Sequence, residues 1–165
     1  MKKWLFVVLL CLMLSGCSKE AFETMSDLYE EPKNLEPAQV LLMLPQEAAL
    51  MTPGEETADR FYLCKDFTLS LQTLPGGDME KTLKTVSGYT KQQLSLVCLS
   101  QGDMKRYELV WAVAGEQGDE VARAVILDDG KFHYVLTLQT PADRVADLQQ
   151  TWNELMSTFS LDTAP

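Results

Sequence analysis

Alternation with a period of two residues is the feature of this 165-residue sequence that most limits its fold. Seven segments alternate apolar and polar side chains and are separated by turn residues: Val40–Leu44, Arg60–Cys64, Phe67–Thr73, Leu94–Leu99, Tyr107–Val113, Val121–Leu127 and Phe132–Leu138. Successive side chains of a strand point to opposite faces, so the pattern predicts half-buried antiparallel strands.

Two of these strands indicate which face meets the core. The apolar sets are Tyr107, Leu109, Trp111 and Val113 on one strand, and Phe132, Tyr134, Leu136 and Leu138 on another. Asp128-Asp129-Gly130 separates the last two segments, and glycine accepts the positive φ of a tight turn. The last two strands are therefore predicted to form a hairpin.

Two segments change to the 3.6-residue period of a helix. The first spans residues 78–86, with Asp78 as N-cap, and the second spans 141–158, with Thr140 as N-cap and Pro141 in its first turn. The second places Trp152 on its apolar face. Together the elements predict an α+β fold, an antiparallel sheet covered by helices.

The first residues have the order of a signal peptide. Lys2 and Lys3 precede an apolar run from Trp4 to Leu14, which ends at the small pair Ser15-Gly16. A membrane-spanning helix needs about 20 apolar residues, so this run is too short to be a permanent anchor.

Leu14-Ser15-Gly16-Cys17, directly after that run, resembles the lipobox of bacterial lipoprotein precursors. The resemblance implies acylation of the Cys17 thiol, cleavage before Cys17 and attachment to the outer face of a cell membrane through the lipid, since two acyl chains anchor a protein stably. An ordinary signal peptide with a chance cysteine is the alternative. We expect a signal peptide at 1–16, the lipidated Cys17 with an acidic flexible tether to residue 37, and one domain over 38–165.

The charge balance is strongly acidic. The chain has 14 Lys+Arg against 24 Asp+Glu, and loss of Lys2 and Lys3 with the signal leaves a net charge of −12. Such a surface repels phosphate backbones and anionic lipid headgroups. Nucleic acid is excluded as a partner on this ground, and membrane attachment is expected to depend on the lipid.

Cys64 and Cys98 are the two cysteines left for the domain. An exported protein can join them in a disulfide. Both also lie in apolar strand segments, where a buried free thiol behaves as a small hydrophobic side chain. The second interpretation is favoured, and the first stays open at this point.

No residue set forms a catalytic, cofactor or metal signature. His133 is the single histidine, and with no nucleophile beside it we expect a surface or packed residue whose replacement by alanine changes stability little. The acidic pairs Glu30-Glu31, Glu55-Glu56 and Asp128-Asp129 lack the spacing of a calcium loop. We therefore expect no cofactor, no metal and no enzymatic activity.

The end of the chain resembles PsbP-like domains. The strand Phe132–Leu138, then Thr140-Pro141, then an amphipathic helix ending in Met156-Ser157-Thr158-Phe159 carry the resemblance over about the last 60 residues. It implies a PsbP-like α/β/α sandwich, and the photosystem members of that family act by binding and stabilising a membrane assembly. No functional residue of the family can be placed on these positions.

Two functions follow from these observations. The first is a membrane-anchored, noncatalytic binding or assembly module that engages another envelope protein. The second is an exported enzyme or small-ligand carrier whose pocket is assembled from distant residues. A deep pocket with perturbed titratable groups would favour the second, and an exposed apolar patch would favour the first.

Overall fold

The computed structural model describes residues 36–51, 59–101, 104–115 and 118–162. The elements in chain order are β1 (Gln39–Leu41), β2 (Ala49–Met51), β3 (Arg60–Leu63), β4 (Thr68–Pro75), α1 (Met79–Ser87), β5 (Ser95–Gln101), β6 (Met104–Gly115), β7 (Gly118–Asp128), β8 (Phe132–Pro141), α2 (Gln149–Thr158) and β9 (Ser160–Asp162). Each of the seven predicted strands overlaps an observed one. The three-residue strands β2 and β9 were not predicted.

Seven strands form one antiparallel sheet in the order β2-β3-β4-β8-β7-β6-β5, and β1 pairs with β9 in a separate two-stranded sheet. The predicted hairpin between β7 and β8 is confirmed, because Asp128 pairs with His133 across it and Gly130 has a φ of 84°. Strand β8 is therefore the central strand, and β2 and β5 are the edge strands.

Both faces of the sheet are covered. Trp152 and Leu155 of α2 pack against one face, together with Val125 and Leu136. Leu83 of α1 packs against the other face, where Ala124 and Val135 belong to the same core. Alternate side chains of β7 and β8 thus pack into two separate hydrophobic cores, one on each face of the sheet. The predicted α+β sandwich is confirmed.

Helix α1 begins as predicted, since the Asp78 carboxylate accepts a hydrogen bond from the Lys81 backbone amide at 3.0 Å. The predicted start of the closing helix is wrong. Thr140 and Pro141 continue strand β8, paired with Val121 and Glu120 of β7. A 3-10 turn follows at Ala142–Arg144, and the α-helix α2 begins only at Gln149. The Thr140 hydroxyl donates to the Asp66 carbonyl at 2.9 Å, which fixes the extended conformation.

Tyr134 joins the beginning of the described chain to the central strand. Its hydroxyl accepts a hydrogen bond from the Ala38 backbone amide at 2.7 Å and donates one to the Asp129 carboxylate at 3.0 Å. The tyrosine itself is fully buried in β8. Among the residues described, no helix has the length and apolar character needed to span a bilayer.

Candidate functional site

His133 is buried in β8 and contacts side chains of α1 and of the β7–β8 turn. Its Nδ1 lies 2.6 Å from the Thr82 hydroxyl of α1, and its Nε2 lies 3.7 Å from the Asp128 carboxylate. The nearby carboxylate favours a proton on Nε2, so that Thr82 donates to Nδ1. Burial lowers the pKa of His133, although Asp128, Asp129 and Asp78 oppose the change.

These contacts show that His133 is a packed residue. The sequence alone had left open whether it is packed or at the surface. It is 1% exposed and ties α1 to the central strand. Removing a buried hydrogen-bond partner leaves the other group unsatisfied, which costs about 1–3 kcal/mol. The structure thus contradicts a surface position for His133, and we now expect its replacement by alanine to lower stability.

The acidic pair at the β7–β8 turn is also structural. The Asp129 carboxylate accepts hydrogen bonds from the backbone amides of Lys131 and Phe132 and from the Tyr134 hydroxyl. Burial raises the pKa of Asp129, but these hydrogen bonds outweigh it and lower the pKa overall. Its oxygens are thus engaged by the protein itself. Across the described parts of the chain, no cluster of three or more His, Cys, Asp or Glu residues is arranged to hold a metal ion.

The two domain cysteines are free thiols in different surroundings. Cys64 is buried, and burial together with the Glu47 charge raises its pKa to about 11. Cys98 is exposed, so the prediction of a buried thiol is wrong there.

Five strand spacings separate β3, which Cys64 follows, from β5, which contains Cys98. At about 4.8 Å for each spacing, the two strands lie roughly 24 Å apart. A disulfide needs Cα atoms within about 7 Å, so this geometry excludes a bridge within the folded domain.

Several sequence predictions lie outside the described residues. They are the signal peptide, the lipobox with Cys17, nearly all of the tether, and the pairs Glu30-Glu31 and Glu55-Glu56. Cys17 therefore stays a predicted lipidation site.

The α1 face of the sheet carries an open groove, because the nine-residue helix α1 covers only part of it. We call this cavity of about 380 Å³ the sheet groove. Its lining residues are uncharged and come from three strands, the end of α1 and the two residues that follow it: Ser70, Gln72, Val86, Ser87, Gly88, Tyr89, Trp111, Ala112, Val113, Ala114, Thr137 and Gln139. A surface built from hydroxyl, amide and apolar groups suits an uncharged ligand or protein segment.

The floor of the sheet groove is polar. Gln72 donates its amide to the Asp59 carboxylate at 3.1 Å, and Gln139 donates its amide to the Glu120 carboxylate. Between these pairs, the buried Thr137 hydroxyl oxygen has no hydrogen-bond partner within the described structure. The floor thus presents one free hydroxyl flanked by two fixed amides.

Exposed apolar side chains continue from the groove toward the β2 edge. Phe61 pairs with Ser70 of the groove floor, and Met51 pairs with Phe61, so all three lie on the α1 face. Leu63 lies on the same face two residues along β3. Met51, Phe61 and Leu63 are 52%, 40% and 50% exposed. We call these three residues the β3 patch.

The sequence indicates this patch, although the search for alternating apolar and polar residues does not detect it. Residues 61–64 are Phe-Tyr-Leu-Cys, an uninterrupted apolar run in which both faces of the strand are apolar. Tyr62 faces the α2 core and is buried, so its neighbours must face the other side. An apolar run in a strand beside a sheet edge predicts two apolar surfaces, and only one of them is covered here.

Comparisons with known proteins identify the fold and no family. The sequence matches no protein-family model, and no curated protein matches it. The solution structure of cyanobacterial PsbP (CyanoP) from Synechocystis is similar, with a TM-score of 0.55 and 13% identity over 78% of this chain and 95% of that one.

A crystal structure from Bacteroides thetaiotaomicron is also similar, with a TM-score of 0.52 and 14% identity over 75% of this chain. The match spans only 45% of that longer protein. Likeness at such low identity concerns the fold alone. The domain has a PsbP-like fold, as the end of the sequence predicted.

Proposed function

We propose that the protein is an exported lipoprotein, acylated on Cys17 and held on the outer face of a membrane, whose domain is a noncatalytic binding or assembly module for another envelope protein. The resemblance of residues 14–17 to a lipobox supports the anchor. The acidic surface makes the lipid, and no basic patch, the means of membrane attachment.

The β3 patch is the observation that carries the binding role. Its three large apolar side chains stand side by side on one sheet face, next to the uncharged sheet groove. Protein interfaces bury such apolar centres and surround them with polar groups. The groove lining beside the patch is uncharged, and the nearby carboxylates of Asp59 and Glu120 already accept hydrogen bonds from Gln72 and Gln139. A protein partner can therefore contact the apolar side chains without placing a charge of the groove lining in an apolar environment.

A noncatalytic role agrees with the chemistry of the groove. Its lining contains no carboxylate, imidazole, amine or thiol. General acid–base and nucleophilic catalysis need such groups within reach of the substrate. The single histidine of the chain is buried beneath α1 and engaged with Thr82.

Neighbouring residues of β2 provide a matched test. Met51 is 52% exposed on the patch face, and Leu50 is 57% exposed on the opposite face. A photoreactive amino acid at Phe61, in membranes of cells that naturally make the protein, should crosslink one discrete envelope protein. Met51→Lys should reduce this crosslink at least tenfold, and Leu50→Lys should leave it within twofold. Equal effects of both variants, or no discrete product, would overturn the proposal.

A second candidate is a small-ligand carrier, favoured by the unpartnered Thr137 hydroxyl beside Trp111 in a groove of about 380 Å³. That volume is within the range of small-molecule sites. Native mass spectrometry of gently purified protein tests it. A bound small molecule that is lost in Thr137→Val would support the carrier, and apo protein alone would argue against it.

A further inference from the structure

Strand β5 differs from ordinary edge strands in having no protection against pairing. It has seven residues, Ser-Leu-Val-Cys-Leu-Ser-Gln, with no charged residue and no proline. Its register with β6 is continuous from Ser95 to Gln101, so no bulge interrupts it. No strand in the described residues pairs with its outer side. Edge strands are usually blocked by lysine, proline, bulges or short length.

Both faces of β5 are accessible as well. Val97 and Leu99, on the α2 face, are 55% and 52% exposed, and Cys98 on the α1 face is exposed too. The other edge of the sheet differs, because β2 has only three residues. The long, uncharged, exposed edge is therefore specific to β5.

We propose that β5 pairs with β5 of a second copy of this chain, antiparallel and centred on Cys98, to form one continuous sheet across a two-fold axis. This inference does not depend on the proposed function. A two-fold axis perpendicular to the sheet keeps matching faces together, and Cys98 is the middle residue of Ser95–Gln101. This register therefore pairs all seven residues, and any other register with matched faces pairs fewer.

The side chains of β5 are complementary to themselves in this register. Val97 of each copy lies opposite Leu99 of the other, which joins four exposed apolar side chains on the α2 face. Cys98 lies opposite its own copy on the α1 face. The chain has a net charge of −10, so most of its surface repels a second copy, but β5 brings no like charges together. That difference favours a second copy at this edge.

The pairing is expected to be weak. Stable interfaces bury about 1,200 Å² or more, and a single seven-residue edge provides less contact than that. We expect a dissociation constant in the micromolar range or above, so that the dimer forms only where the chain is concentrated.

Cys98 reports the register directly. Opposed residues of antiparallel strands have Cα atoms about 4.5–5.5 Å apart, within disulfide range. Cys64 is buried with its pKa raised, so it reacts slowly. In concentrated solutions of the purified full chain, copper-catalysed oxidation by the oxygen of air, which takes two electrons and two protons from two thiols, should yield a disulfide-linked dimer. Cys98→Ser should not yield it.

Two further comparisons test the geometry. In the Cys98→Ser background, copies carrying Val97→Cys should link to copies carrying Leu99→Cys, because these positions are opposed, and each should link poorly to itself. Val97→Lys should lower the Cys98 dimer at least tenfold. Val110→Lys adds the same charge at a 49%-exposed position of β6 on the same face and should leave the yield within twofold.

Three results would overturn self-pairing: absence of the Cys98 dimer, equal yields in the two lysine variants, or a crosslink from Cys98 to a different protein. Met51→Lys separates this inference from the proposed function, since it should abolish partner crosslinking at Phe61 and leave the Cys98 dimer unchanged.

Discussion

At the scale of single residues, the buried pair of His133 and Thr82 is the contact that the sequence did not reveal. Val135, Thr137 and Gln139 follow His133 on the same face of β8, and this partly polar set resembled a solvent-facing side. In the structure α1 covers that end of the face, and Thr82 lies 51 residues away in sequence from its partner. A single sequence contains no signal for such a pairing.

His133 should make stability depend on pH. Because burial lowers the folded-state pKa of His133 below the ordinary histidine pKa of about 6.5, the stabilisation by neutral His133 is present above pH 6.5 and is lost as pH falls. We expect His133→Leu to be about 1–3 kcal/mol less stable than the native protein at pH 7.5. The difference should shrink at pH 5.

Urea unfolding at both pH values measures this difference. Thr82→Val is the control, since it removes the hydrogen bond and keeps the histidine buried, so it should still lose stability at pH 5. A gap between native protein and His133→Leu that is the same at both pH values would contradict the argument.

At the scale of elements, the late start of α2 shows how tertiary contacts override a helical pattern. Val145, Leu148, Trp152 and Leu155 keep helical spacing from residue 145 onward. The chain nevertheless stays in β8 through Pro141, where β7 pairs with it, and passes through a 3-10 turn at Ala142–Arg144 before α2 begins. The spacing of apolar residues predicted the helix and its buried face, but not the residue where it begins.

Trp152→Ala should cost about 3–5 kcal/mol of unfolding free energy. Trp152 is 6% exposed and belongs to the core between α2 and the sheet, so truncation leaves a large cavity. Chemical denaturation checks the value. Gln150→Ala, at an exposed position of the same helix, should change stability by less than about 0.5 kcal/mol. A loss below about 1 kcal/mol for Trp152→Ala would mean that the helix is held by other contacts.

The strands show where prediction from alternation succeeds and where it fails. Long strands such as β6 and β8 contain enough apolar positions to fix both their existence and their apolar face. A three-residue strand such as β2 contains too few positions for any period to be measured. The apolar run at residues 61–64 indicates two apolar faces of β3, but strand order decides which face is left uncovered and which strand forms the uncharged edge.

At the scale of the whole molecule, the central prediction is the lipid on Cys17. Cys17→Ser should leave the chain without lipid and uncleaved by the lipoprotein peptidase, because the thiol is the acyl acceptor. Mass spectrometry of the protein from membranes checks this directly, and Cys11→Ser is the matched control, which should be acylated and processed as usual. Native protein with an unmodified Cys17 would contradict the anchor, while leaving the fold and the β5 pairing unaffected.

The hydrogen bond between Tyr134 and Ala38 has a mechanical consequence. A pull along the chain from the side of residue 37 reaches the domain at Ala38, which is bonded to the central strand β8, and at β1, which is paired with β9. Tension therefore enters at the middle strand of the seven-stranded sheet and at the separate two-stranded sheet of β1 and β9. The edge strands β2 and β5 are not the strands to which this force is first applied. We therefore expect a partner bound at either edge to stay bound when the chain before residue 37 is pulled.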